Sequence, residues 1–230
     1  MSAQQRFEAV LFDCDGVLVD SESITCGALR DMLAASGWRM TLAECMDQFV
    51  GKTVRSESAA IEHHTGQALT DAWMAAFYAE RDRRLRTQAR LVDGALELVE
   101  QARRVCDGRV AVCSGADKPK LILMLSQLGL LDVFGGHIYS GHDCARSKPF
   151  PDVYWAGAQA LGVAPERCLV VEDSTIGARA GVAAGATVWG YTGLREQDLR
   201  AVGAAREWTC LHEMAAHLAE SSSVTAAPVR

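Results

Sequence analysis

Two rhythms of apolar and polar residues run along this chain, one of short unbroken runs and one of helical period. Ala9-Val10-Leu11-Phe12 is an apolar run that ends at Asp13-Cys14-Asp15-Gly16-Val17. Such a run before a glycine-containing turn predicts a strand near 8–13, buried on both faces. The period then changes. Ile24, Leu29, Met32 and Leu33 form one helical stripe with Gly37 as its stop, and 42–49, 54–65 and 71–86 read as further amphipathic helices. Glu80-Arg81-Asp82-Arg83-Arg84-Leu85-Arg86 reads as a solvated helix face, because its interleaved acids argue against a phosphate or nucleic-acid patch. From residue 89 onward strands and helices alternate. Strands are expected at 109–113, 137–140, 168–172 and 186–191, and helices at 94–104, 117–128, 151–161 and 175–184.

This alternation predicts an α/β fold with a parallel sheet and helices on both faces. The first strand is separated from the next by a long helical stretch, so the core is expected to be split. Residues 1–20 and 89–230 are assigned to the core and 21–88 to an inserted helical cap. No internal repeat is visible. The tail Ser221–Arg230 is expected to fray and to carry no function.

Chemistry-bearing residues collect at the ends of the predicted strands. If extended geometry lasts to Asp15, then Asp13 and Asp15 point the same way and Cys14 points to the other face. Two adjacent carboxylates repel, and a hard cation that prefers oxygen ligands would offset that cost. The plain alternative is an acidic turn. Val110-Ala111-Val112-Cys113 ends in Ser114-Gly115, and Cys168-Leu169-Val170-Val171 ends in Glu172-Asp173-Ser174. Lys148-Pro149-Phe150-Pro151-Asp152 follows the short run Ile138-Tyr139-Ser140-Gly141. In open α/β sheets, ligands bind outside the carboxyl ends of the strands. Acidic strand ends, a hydroxyl and a lysine on one rim describe a site for a metal and an anion.

The ordered set Asp13-x-Asp15-Gly16, Ser114, Lys148-Pro149 and Glu172-Asp173 resembles the four motifs of the haloacid dehalogenase-like phosphohydrolases, from about Phe7 to Trp189. The stretches Phe12–Glu22, Ser140-Gly141-His142-Asp143 and Val171–Ala178 are similar to the branch of β-phosphoglucomutase-like sugar-phosphate phosphatases. This resemblance implies a Rossmann-like core with strand order 3-2-1-4-5 and the Asp13 strand central. It implies Mg²⁺ held by Asp13, the backbone carbonyl of Asp15, and Asp173, with Glu172 as an outer partner or occasional ligand. Asp13 is then the nucleophile that forms an aspartyl-phosphate, and Asp15 the general acid and later the general base. Ser114 and the Gly115 amide would donate to phosphoryl oxygens. Lys148 would neutralise phosphoryl charge and orient Asp13, on a backbone restricted by Pro149 and Pro151.

Each assignment has a structural alternative. Glu172-Asp173 and Ser114 are also good helix caps, and most lysines are merely solvated. In the cap, Lys52 and Arg55 lie in Phe49-Val50-Gly51-Lys52-Thr53-Val54-Arg55, where this branch carries a substrate-contact loop. They are candidates for sugar or carboxylate contacts, or else exposed loop charges. Glu22 is a weaker candidate. His63, His64 and His142 have no metal-ligand spacing.

The expected activity is Mg²⁺-dependent hydrolysis of small sugar phosphates or phosphosugar acids. A phosphosugar mutase is the alternative, but those relatives have histidine where this chain has Thr25, and an arginine where Val54 aligns. Dehalogenase chemistry lacks a use for the acid at Asp15. A non-catalytic binding module would leave every one of these groups unexplained.

Composition narrows the picture further. The 230 residues carry a net charge of −6, so no broad basic surface for nucleic acid is expected. The first residues lack an apolar signal region, and no stretch is long and apolar enough for a membrane. The eight cysteines include no C-x-x-C pair and read as reduced thiols of a cytoplasmic protein. Cys14 is expected to be a small core residue. The expected partner is a small-molecule phosphate ester, with no nucleic acid and no membrane, and the chain is expected to be a monomer.

Overall fold

A computed structural model describes residues 7–223. In chain order the elements are β1 (Ala9–Phe12), β2 (Val19–Asp20), α1 (Glu22–Ala35), α2 (Leu42–Phe49), α3 (Ser58–Thr65), α4 (Asp71–Gln88) and β3 (Arg90–Leu91). Then follow α5 (Ala95–Val105), β4 (Val110–Ser114), α6 (Lys118–Gln127), β5 (Ile138–Ser140), α7 (Asp152–Ala160) and β6 (Cys168–Glu172). The last elements are α8 (Thr175–Ala183), β7 (Thr187–Tyr191), β8 (Arg206–Trp208) and α9 (Leu211–Ser223). The chain divides into two compact units, one with the residues up to Val19 and from Leu91 onward, the other Asp20–Arg90.

The first unit is built on a parallel sheet of order β5-β4-β1-β6-β7-β8. The expected order of five strands lies inside this sheet, which β8 extends beyond β7. β1 is central because all four of its residues are apolar and buried and it pairs on both edges, Val10 with Val110 and with Leu169. Leu11, Ala111, Cys113 and Val170 belong to the core cluster that holds Val153, Tyr154 and Ala158 of α7 and Ala178 and Ala180 of α8. The alternate residues Val10, Phe12, Val112 and Leu169 face the other side and are equally buried. Small residues let α7 approach: a Cβ on Gly157 would collide with the Cys113 sulfur.

The second unit, Asp20–Arg90, is a group of helices around Leu29, Leu33, Phe49, Ile61, Met74 and Phe77. α1 packs on both α2 and α4. Thr41 begins α2 with a capping box, its hydroxyl accepting from the Glu44 amide while Glu44 accepts from the Thr41 amide. The helix expected over 54–65 is instead a 3-10 turn, Val54–Glu57, followed by α3. Glu80–Arg86 is not wholly solvated. Arg81 is buried, paired with Asp82 at 2.7 Å, and its guanidinium lies 4.7 Å from the Tyr78 ring centroid. Its long stem is covered because Phe77 and Leu85 on the same helix face are core residues.

The expectation of a frayed end is met differently as far as Ser223, because α9 reaches that residue. The segments 1–6 and 224–230, including the proposed signal-free start and most of the tail, lie outside the described residues. Among the described residues, no helix is long and apolar enough to cross a membrane. Every described cysteine is a free thiol. Cys14 is fully buried, and burial with the neighbouring carboxylates pushes its thiol up, as suits an inert core residue.

Candidate active site

The carboxyl ends of β1, β4 and β6 bring the first unit's polar groups together. β1 stops where Asp13 begins a tight turn, in which Gly16 N–H donates to the Val19 carbonyl at 2.8 Å. Gly16 has φ of +80°, and a Cβ there would strike the Asp173 carboxylate. Glycine thus lets the loop after β6 come up against the loop after β1. The Asp13 amide still donates to the Val171 carbonyl at 3.0 Å, which fixes its backbone to the sheet.

Lys148 joins two strand ends. Its Nζ lies 2.6 Å from Asp13 Oδ1 and 2.6 Å from Glu172 Oε1, and it is almost wholly buried. Lys148 is therefore not a solvated lysine. Burial works against its ammonium, but Asp13 and Glu172 outweigh that and hold its pKa well above the ordinary lysine value. Burial pushes the Asp13 carboxyl up to about 7; Lys148 opposes the shift, while Glu172 and Asp15 add to it.

Glu172 has both oxygens engaged. Oε1 accepts from Lys148 and, at 3.0 Å, from the Tyr154 hydroxyl. Oε2 accepts from the Asp173 amide, the Ser174 amide and the Ser174 hydroxyl, each at 2.9 Å. The resemblance implies an outer partner or occasional metal ligand at Glu172, and in the structure its carboxylate organises Lys148 and the β6–α8 loop. Nor does Glu172-Asp173 cap α8. That role belongs to Ser174, whose hydroxyl accepts from the Gly177 amide at 3.0 Å. Gln197 braces the same loop, donating to the Asp173 carbonyl at 3.1 Å and accepting from the Thr175 amide at 3.2 Å.

Ser114, at the end of β4, is 1% exposed, and its Oγ accepts from the Ala116 amide at 3.2 Å. It does not cap α6; Asp117 does, accepting from the Lys120 amide at 3.0 Å. Ser140 steadies the Gly115 loop by donating to the Ala116 carbonyl at 2.6 Å. Lys120, which sequence reasoning missed, reaches Asp15 Oδ1 at 2.6 Å. Tyr154 and Gln197 were missed as well. They sit in an apolar helix and a loop, where no spacing connects them to the acidic strand ends.

The proposed cap contacts have local partners in the second unit. Lys52 lies 3.2 Å from Glu57, which also accepts from Gln48 at 2.8 Å, and Arg55 pairs with Asp71. Glu22 is the first residue of α1. Of the paired histidines, His64 stacks on Trp38 with ring centroids 4.2 Å apart. Among the described residues, no group of three or more His, Cys, Asp and Glu side chains is arranged to hold a metal.

A family profile described as haloacid dehalogenase-like hydrolase matches residues 7–185. The chain belongs to this family. It is 34% identical over 189 residues to the 6-phosphogluconate phosphatase of Escherichia coli K12, covering 80% of this chain and 82% of that protein. It is 28% identical over 184 residues to the fructose-1-phosphate phosphatase of the same organism, covering 79% and 94% of the two chains. Among solved structures it is similar to a hydrolase of the same family from Deinococcus radiodurans R1, determined with bound phosphate and sodium. The TM-score is 0.77 at 35% identity, with 97% of this chain and 100% of that chain covered.

Proposed function

We propose that this hydrolase cleaves small phosphate monoesters, sugar phosphates or phosphosugar acids, through an aspartyl-phosphate on Asp13. The observation that carries the reading is the Lys148 ammonium, on a side chain only 7% exposed, bonded at 2.6 Å to carboxylates from two strand ends beside Asp173. The phosphatase names of the Escherichia coli relatives support the substrate class.

Asp13 attacks phosphorus, and the bond from phosphorus to the ester oxygen breaks. Asp15 gives its proton to that oxygen, so the alcohol leaves neutral. Asp15 then takes a proton from water as the water attacks the acyl-phosphate, which releases inorganic phosphate and restores Asp13. Lys148 holds Asp13 in place and offsets phosphoryl charge, while Ser114 and the Gly115 amide donate to phosphoryl oxygens.

The residues present suit a hard cation. Asp13, Asp173 and the Asp15 carbonyl offer oxygen donors only, and the missing Cβ of Gly16 admits the Asp173 carboxylate. These three would hold Mg²⁺, with Glu172 behind them. Bound there, Mg²⁺ would lower the repulsion between the nucleophilic carboxylate and the dianionic ester. Lys52 and Arg55 are proposed to discriminate among the organic parts of substrates. Threonine at position 25 and valine at position 54 favour hydrolysis over a mutase reaction.

The test is phosphate release over a panel of sugar phosphates and phosphosugar acids. Hydrolysis is expected with Mg²⁺, and is expected to fall to background with chelator or in Asp13→Asn. Undiminished turnover in either condition would overturn the mechanism.

A further inference from the structure

Lys120 has no place in the roles above, yet it is among the most confined cations of the first unit. It is 6% exposed and lies in the first turn of α6. Its backbone is held by the Asp117 cap, and the helix is seated by Leu121, Met124 and Leu125, all buried. A buried ammonium is costly unless it is paired. Its partner is Asp15, 105 residues away in the chain, at 2.6 Å.

A carboxyl turns readily about its last bond, which is a broad two-fold rotor. With Oδ1 tied to an ammonium on a capped helix, Asp15 cannot turn without breaking a charge-assisted hydrogen bond. Lys148 does not serve this purpose, because its bonds go to Asp13 and Glu172. The two lysines therefore divide the acidic turn between them.

We propose that Lys120 is a positioning residue that holds the Asp15 carboxyl in the orientation for proton transfer to the departing ester oxygen. The proton moves from Asp15 to that oxygen as its bond to phosphorus breaks, and Lys120 neither gains nor loses one. This inference rests on the phosphatase reading. It predicts a defect that depends on the leaving group. Alkyl esters need the proton, and p-nitrophenolate does not.

The experiment compares kcat/KM and KM for a sugar phosphate and for p-nitrophenyl phosphate in the wild type, Lys120→Met, Lys120→Arg, Asp15→Asn and the double variant Asp15→Asn with Lys120→Met. Circular dichroism checks the fold of each. For the sugar phosphate, Lys120→Met should lose about 10- to 100-fold in kcat/KM, part of the roughly 10²–10⁴ that a general acid supplies, while p-nitrophenyl phosphate stays within about threefold. KM should change little, and Lys120→Arg should recover part of the loss. In the Asp15→Asn background, Lys120→Met should add no further leaving-group dependence. Equal losses for both esters, or a full additional loss in that background, would overturn the inference while leaving the phosphatase reading intact. A wild type silent against the whole panel would overturn that reading and this inference with it.

Discussion

Glu172 accepts hydrogen bonds from Lys148, Tyr154, Ser174 and the Asp173 amide, so its carboxylate has little room to move. Gly177 is packed directly against it, and a Cβ there would collide with Oε1. A flexible glutamate could normally swing aside, but here every rotation breaks several bonds. Gly177→Ala should therefore destabilise the protein by about 1–3 kcal/mol, as overpacking does. It should also lower turnover, because a displaced Glu172 releases Lys148. Tyr154→Phe removes one donor from the same oxygen without adding bulk. It should cost about 1–2 kcal/mol and leave KM nearly unchanged while kcat falls modestly. Denaturant unfolding and steady-state kinetics on both variants check this. Wild-type stability in the Gly177→Ala variant would show that Glu172 is more adaptable than its bonding suggests.

At the scale of elements, β1 and α4 contrast local pattern with local charge. β1 is an unbroken apolar run because both of its faces are covered, so the run predicts the strand directly. In α4 the run of charges suggests an exposed face, and only part of it is. Glu80 sits between Arg83 at i+3 and Arg84 at i+4, and their hydrogen bonds, Arg83 first, hold its carboxyl down to about 2 from the usual 4.5. A depressed pKa means that the folded state favours the ionised form. The stabilisation is therefore full above about pH 4.5 and is lost as pH falls toward 2. Comparing the thermal midpoint of the wild type with that of Glu80→Gln across this window checks the sign. The difference should be widest above pH 4.5, close on acidification, and shrink with added salt. A difference that grows on acidification would contradict it.

At the scale of the whole molecule, one apolar cluster gathers around Leu11 and Val170 and another around Leu29 and Phe77. Leu11 and Leu29 are each 1% exposed, so truncation of either to alanine should cost about 2–5 kcal/mol. The consequences should be regional. Amide hydrogen exchange in Leu29→Ala should rise within Asp20–Arg90 and leave β1, β4 and β6 protected; Leu11→Ala should do the reverse. Uniform loss of protection in both variants would mean that the two units unfold as one.

The sequence by itself determined the features that repeat locally. Alternating strands and helices, the long helical stretch after β1 and the polar residues at strand ends are written within a few residues of each other, and period or adjacency reveals them. The edge strand β8 and α9 escaped because Arg206–Trp208 has no apolar run to announce it and a terminal helix completes no strand alternation. Tertiary structure alone decided the pairing of buried charges. Lys120 with Asp15, Tyr154 with Glu172 and Lys148 with Glu172 join positions that no spacing links, whereas the approach of Lys148 to Asp13 was implied by the resemblance. It also gave the Glu172 carboxylate its full set of partners and made Ser174 and Asp117 the helix caps. The physical reason is that a desolvated charge must find its counter-charge wherever the fold brings one, whereas a strand or a helix is specified largely by its own neighbours.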